Sequence, residues 1–269
     1  MNDPEATRAK PETARRPKQW RRALRAVRKL TADPSQTEQV FEILDALSGP
    51  SFERSYQRFA ATPQTLRLRA EKPILIDRLQ DRPGLASLPP GSLGHAYLGF
   101  MTRGHLTAEG LAEAERIAEQ NAPLARPVVD AEREWFGNRM RDSHDLWHVL
   151  TGYGRDEGGE AGLLAFTFAQ VPNPGIALIV LTAALVGPWR ERLRWPRYLA
   201  AAWRRGRATP DLARAPWEEL LPLPLDEVRA RLGVPAVARA HPAGLAVAID
   251  DSRGRRIEYQ LAAALPAAA

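Results

Sequence analysis

The sequence contains no cysteine. That excludes a disulfide framework, a thiolate nucleophile, an iron–sulfur cluster and every cysteine-based zinc site. Any metal must be held by His, Asp or Glu, and only five histidines are present. Long apolar runs are also lacking. The longest, IALIVLTAALV at 176–186, makes about 16 Å of helix, against the ~30 Å of a bilayer core. Pro172, Pro174 and Pro188 bracket it, and it reads as a buried core helix. The start of the chain has no apolar signal segment. Acids at positions 3, 5 and 12 argue against a transit peptide. A cytoplasmic protein, soluble or peripheral, is expected.

Net positive charge is lacking outside the first thirty residues. That stretch holds ten Lys/Arg against three acids, net +7, of an overall +6, which leaves −1 for residues 31–269. Residues 1–16 are polar and read as disordered. Trp20, Leu24, Val27 and Leu30 then form a helical seam flanked by Arg21, Arg22, Arg25, Arg28 and Lys29. Such a helix suits an anionic membrane surface, or packs its seam on the domain. Residues 1–34 are therefore set apart as a basic leader.

Strand patterning is scarce until the C-terminal tail, where residues 245–261 can form a small β-hairpin around Ser252-Arg253-Gly254. Between these ends the pattern is helical. Segments at 37–47, 51–90 (broken by prolines), 107–120, 129–150, 160–169, 176–186, 189–205 and 222–232 are punctuated by Pro and Gly. The expectation is all-α: a single multi-helix domain over 35–234 and an extension over 235–269. A cluster at 189–207 holds seven Arg with Trp189, Trp195, Tyr198 and Trp203. It suits a lipid headgroup surface better than nucleic acid, for which no motif is present.

The chemistry concentrates in RDSHDLWHVLTGYGRDEGGE, residues 141–160. His144 and His148 are four apart, so on a helix their side chains lie about 40° apart on one face. Asp145 falls beside them. Four glycines between 152 and 159 end the helix and permit a tight reversal that can bring Glu160 back. The result is a metal site on a helix–glycine turn–helix. Imidazole and carboxylate ligands suit Zn²⁺ first, with Mn, Fe or Co also compatible.

The pattern H-D-x-x-H-x(11)-E, filled by His144, Asp145, His148 and Glu160, resembles the signature of the coenzyme Q (ubiquinone) biosynthesis protein 4 family. Four other segments agree in order: LPPGSLGHAYLGFM (88–101), AFTFAQVPNPGIALIVLTAALVGP (165–188), AAAWRRGR (200–207) and WEELLPLPLDEVRARLGV (217–234). The resemblance spans about residues 36–234, and the lack of a transit peptide points to a bacterial homologue.

The resemblance implies metal-dependent C1 decarboxylation, simple or oxidative, of a 4-hydroxy-3-methoxy-5-polyprenylbenzoate-type intermediate. It places the protein peripherally on the cytoplasmic face of the inner membrane, as a homodimer among other ubiquinone-synthesis proteins. The alternative is a non-catalytic lipid- and metal-binding scaffold that organises those enzymes. Arg155 is a candidate partner for the substrate carboxylate and Tyr153 a candidate proton shuttle. The helices at 163–171 and 176–186, with Phe166 and Phe168, are candidates for a prenyl groove. The His144-Asp145 doublet alone also fits an HD-type phosphohydrolase, but Asp211 and Asp226 are poorly placed for the distant ligand, and Glu160 is then unexplained.

Overall fold

The computed structural model describes residues 17–33, 36–104, 107–120, 130–186, 194–235, 248–250 and 256–258. The helices are α1 (Trp20–Ala32), α2 (Thr37–Leu47), α3 (Gly49–Ala60), α4 (Leu66–Glu71), α5 (Leu75–Gln80), α6 (Arg82–Ala86), α7 (Leu93–Arg103), α8 (Gly110–Gln120), α9 (Ala131–Asp142), α10 (His144–Thr151), α11 (Glu157–Gln170), α12 (Pro174–Val186), α13 (Arg194–Ala208), α14 (Trp217–Leu220) and α15 (Leu225–Arg231). The all-α expectation is met. Beyond residue 235 the described residues are two three-residue strands, Ala248–Asp250 and Arg256–Glu258, paired antiparallel. Residues 1–16, expected to be disordered, lie outside the described residues, as does most of the 235–269 extension.

The main core lies among α7, α10, α11, α13, α14 and α15. Tyr97, Leu146, Leu150, Phe166, Ala202, Trp217 and Val228 are fully enclosed there. Helices α11 and α13 approach closely because glycines face the contact. A Cβ on Gly206 would stand 2.4 Å from the Phe166 carbonyl oxygen, closer than any side chain tolerates. A second cluster joins α3 to α9 through Tyr56, Phe59, Trp135 and Phe136, with Phe59 and Phe136 rings 4.9 Å apart. Two of the motif segments are tied together at the start of α7. Leu93 N–H donates to the Leu223 carbonyl (2.9 Å), Gly94 N–H to that of Leu221 (2.8 Å), and Leu225 N–H returns to Gly91 (2.9 Å).

Helix α1 lies within the stretch 1–34 set apart as a leader. Helix α1 packs on α2 and α12 through Ala23, Ala26, Ile43, Ala46, Leu47 and Ile179. The seam, which the sequence allows on a membrane surface or on the domain, is only partly buried: Trp20 and Leu24 are exposed. The reason is Arg22, which is buried and pairs with Glu42 (2.6 Å) and Asp45. A buried guanidinium held by two carboxylates fixes the rotation of the helix, and two small alanines beside it allow close approach.

The helix expected over 129–150 is two helices in its described part. Asp130 caps α9 by accepting from the Glu132 and Arg133 N–H groups. The chain loosens at Ser143, whose hydroxyl donates to the Met140 carbonyl (3.1 Å), and α10 begins at His144. The 189–207 cluster also reads differently, residues 187–193 aside. Trp195 and Tyr198 are core residues, stacked 5.4 Å apart, while Trp203 is exposed.

Ion pairs at partly buried positions hold α3 to α9. Arg133 donates to both Glu53 oxygens (2.8 and 2.7 Å) and lies 4.2 Å above the Tyr56 ring. The Arg133 hydrogen bond holds the Glu53 carboxyl below its ordinary 4.5, against an opposing push from burial. A depressed folded pKa stabilises fully above the unfolded value, and the gain is lost as pH falls through the folded one. Glu53→Gln is therefore expected to cost about 2 kcal/mol at pH 7. In urea titrations its gap to wild type should narrow as pH drops below 4.5. A gap that stays constant through that range would show the ion pair contributes nothing.

Candidate metal centre

Helix α10 carries the site. His144 and His148 stand one turn apart, with ring centroids 4.8 Å apart and planes at 73°. Ligand-type atoms of His144, Asp145 and His148 all lie within 4.8 Å of one another, a group that can hold a metal ion. His148 is 1% exposed and Asp145 7%, while the His144 side chain is about one-third open. Phe100, from α7, stacks on the His148 ring at 5.5 Å and 26°.

The glycine turn does what its sequence suggests. Gly152 closes α10 with a left-handed φ of 79° and donates its N–H to the His148 carbonyl. Asp156 caps α11 through the Gly158 and Gly159 N–H groups, 3.1 Å each, so α11 starts three residues before Glu160. That brings Glu160 Oε1 to 3.4 Å from His148 Nε2, with Arg155 Nε 3.7 Å from the same oxygen. All the expected ligand residues thus meet, although Glu160 stands beside the tight triad rather than within it.

The protonation of His148 decides the chemistry. Nδ1 lies 2.9 Å from the Tyr153 carbonyl oxygen. A carbonyl only accepts, so Nδ1 carries the hydrogen and Nε2 of the neutral ring holds a lone pair. That Nε2 is buried without a hydrogen-bond partner and faces a carboxylate. Two lone pairs at this distance call for a cation between them, a proton or a metal. Burial pushes the His148 pKa down, but the Glu160 charge and the Tyr153 carbonyl outweigh it and leave it raised. Asp145 is held below its ordinary value: burial pushes it up, and His144, His148 and Arg155 prevail. Glu160 is lowered against the same opposing push, chiefly by His148. The deprotonated carboxylates, the preset imidazole tautomer and the orphaned Nε2 fit a divalent metal.

The family described as coenzyme Q (ubiquinone) biosynthesis protein Coq4 matches residues 18–238. The chain belongs to that family. The match takes in α1, in agreement with its packing on the domain and earlier than the start at about residue 36 expected from the sequence. A ubiquinone biosynthesis protein from Pyrenophora tritici-repentis, described as mitochondrial, is 30% identical over 203 residues, 75% of this chain and 66% of that one. A mitochondrial counterpart from Podospora anserina is 31% identical over 205 residues, 75% of this chain and 64% of that one. The chain thus matches just under two thirds of the length of these relatives. A crystal structure of a protein from Nostoc punctiforme superposes with a TM-score of 0.55 at 25% identity. It covers 82% of this chain and all of that one.

Sequence reasoning missed Phe100 and the Tyr153 carbonyl. Phe100 sat in the 88–101 segment with no sign of which side chain faced the metal helix. Backbone acceptors leave no residue-type signal.

Loss of a ligand should show directly. His148→Ala and Asp145→Ala are each expected to weaken binding of a divalent metal at least about tenfold. Affinity should fall with falling pH, because the imidazoles must shed their protons to ligate. Metal content by elemental analysis and titration at pH 6 and 8 would measure both. Equal metal content in wild type and both variants would remove the site.

Proposed function

We propose that the protein is a metal-dependent decarboxylase of ubiquinone biosynthesis, acting at C1 of a 4-hydroxy-3-methoxy-5-polyprenylbenzoate-type intermediate. The observation that carries the metal site is the His148 lone pair facing Glu160 beside His144 and Asp145. Those four residues would hold the ion, Zn²⁺ by ligand type, with Mn, Fe or Co also served by the set. When bound, a divalent ion supplies Lewis-acid polarisation of a substrate oxygen.

The chain's own groups define the rest. Arg155, about one-third exposed on the rim, meets the substrate carboxylate as a charge partner. Loss of CO₂ breaks the C1–carboxyl bond and leaves its electron pair on the ring. C1 then takes a proton or, in the oxidative form, a hydroxyl group from an external oxidant. In this reading Tyr153 serves by its carbonyl and its ring, not as the proton shuttle expected from its position: the side chain is enclosed, and burial raises its pKa. Phe166 is likewise core, and Phe168 half-buried, so the prenyl tail is left to the less buried faces of α11 and α12.

Purified protein, metal and a prenylated 4-hydroxybenzoate, assayed for CO₂ with and without O₂, test the reaction. Turnover that His148→Ala abolishes is expected, and Arg155→Ala should raise KM about tenfold or more with metal content unchanged. No CO₂ under any metal or oxidant would leave the alternative, a lipid- and metal-binding scaffold for the other synthesis enzymes. An Arg155→Ala variant with normal KM and turnover would remove that residue's role.

In this reading the protein meets its lipid substrate on the cytoplasmic face of the inner membrane. Among the described residues no helix is long and apolar enough to cross a membrane. Trp20 and Leu24, a helical turn apart on α1, are exposed beside exposed Arg21, Arg25, Arg28 and Lys29. This face suits an anionic surface. Trp20→Ser combined with Leu24→Ser should weaken sedimentation with phosphatidylglycerol vesicles several-fold. Unchanged sedimentation would assign membrane contact elsewhere.

A further inference from the structure

The C-terminal end of α10 leaves carbonyls that the helix cannot satisfy. The His148 carbonyl receives the Gly152 N–H. The next three are taken by two arginines from distant helices. Arg229, on α15, donates Nη2–H to Val149 (3.2 Å) and Nε–H to Leu150 (2.9 Å). Arg205, on α13, donates Nη1–H to Thr151 (2.7 Å).

Arg205 does more than cap. Its Nε–H donates to the Pro235 carbonyl (2.9 Å), and its guanidinium lies 5.2 Å from the centre of the Tyr153 ring. It therefore grips the chain on both sides of Gly152. The residue it grips beyond the glycine is the one whose carbonyl accepts from His148 Nδ1. The competing arrangement is close at hand. Were Tyr153 to move, His148 would protonate at Nε2 instead and donate to Glu160, which already lies 3.4 Å away. That tautomer has no lone pair to offer on the metal side.

We infer that Arg205 is a positioning residue for the metal centre: by clamping Thr151 and the Tyr153 ring it keeps the Tyr153 carbonyl on His148 Nδ1 and so presents the Nε2 lone pair. Arg229 shares the capping but not the contact with Tyr153, so its part in the tautomer is smaller. The inference rests on the reading of His148 as a ligand, and one arm of its test does not need metal.

The test uses the full-length protein with Arg205→Met, Arg205→Lys and, as a control, Arg22→Met. The control removes another buried guanidinium, paired with Glu42 and Asp45 away from the site. The first readout is ¹⁵N NMR of the His148 ring in metal-free protein, taken on the alkaline plateau of its own titration, where the ring is neutral. The second is cobalt affinity and the visible spectrum of the cobalt form. Wild type and Arg22→Met should show hydrogen on Nδ1. Arg205→Met should shift the ring to Nε2–H, lower cobalt affinity at least about tenfold and alter the spectrum. Arg205→Lys, which keeps the charge but lacks the fork, should fall between and serves if the Met variant does not fold. An unchanged tautomer in the Arg205 variants overturns the inference, as does an equal change in Arg22→Met. If no variant or wild type takes up cobalt, the metal reading has failed, and the tautomer alone decides the part played by Arg205.

Discussion

A neutral imidazole can present only one of its nitrogens as a lone pair, and a hydrogen bond at the other decides which. In this protein that bond runs from His148 Nδ1 to the Tyr153 carbonyl. The rest of the cluster is grouped around this ring. Glu160 faces the freed nitrogen, Phe100 covers the ring, and His144 and Asp145 stand beside it. A carboxylate opposite an unprotonated nitrogen is stable only with a cation between them. The Glu160 charge that faces this nitrogen also raises the His148 pKa against the opposing effect of burial.

The fold is arranged around that short distance. Helix α10 is only eight residues long, too short to hold its own orientation by helix propensity. It is fixed from outside: by the loosening at Ser143 at one end, by Gly152 and the two guanidinium caps at the other, and by Leu146, Trp147 and Leu150 in the core. The turn returns Glu160 because Asp156 starts α11 at once. The close approach of α11 and α13 at Gly206 brings neighbouring Arg205 within reach of the turn.

That His144, Asp145, His148 and Glu160 would stand together was legible from residue types and their spacing. Histidines four apart with an adjacent aspartate admit few geometries on a helix, and a glycine-rich turn ending in glutamate admits fewer. The all-α class was legible for a similar reason, since apolar periodicity near 3.6 persists through the domain while period-two alternation does not. Less legible was which side of a helix would be buried. The apolar seam of α1 left two faces open, membrane or domain, and a pair of carboxylates 20 and 23 residues downstream draws Arg22 inward and leaves Trp20 and Leu24 exposed. Likewise Trp195 and Tyr198, read as interfacial from their arginine neighbours, are core residues, because Tyr198 reaches the Gly158 carbonyl across the α11–α13 contact. Such outcomes depend on partners far away in sequence, and on backbone acceptors that no residue type marks.

The central claim, that a cation belongs between His148 and the acids around it, is tested most directly by locating one. Crystals grown with zinc or cobalt, measured at the metal's absorption edge, should show a single strong anomalous peak about 2.0–2.1 Å from His148 Nε2, with Asp145, His144 and Glu160 around it and Nδ1 still on the Tyr153 carbonyl. A metal bound elsewhere, or a His148 that keeps Nε2–H on Glu160 while metal is plentiful, would contradict it.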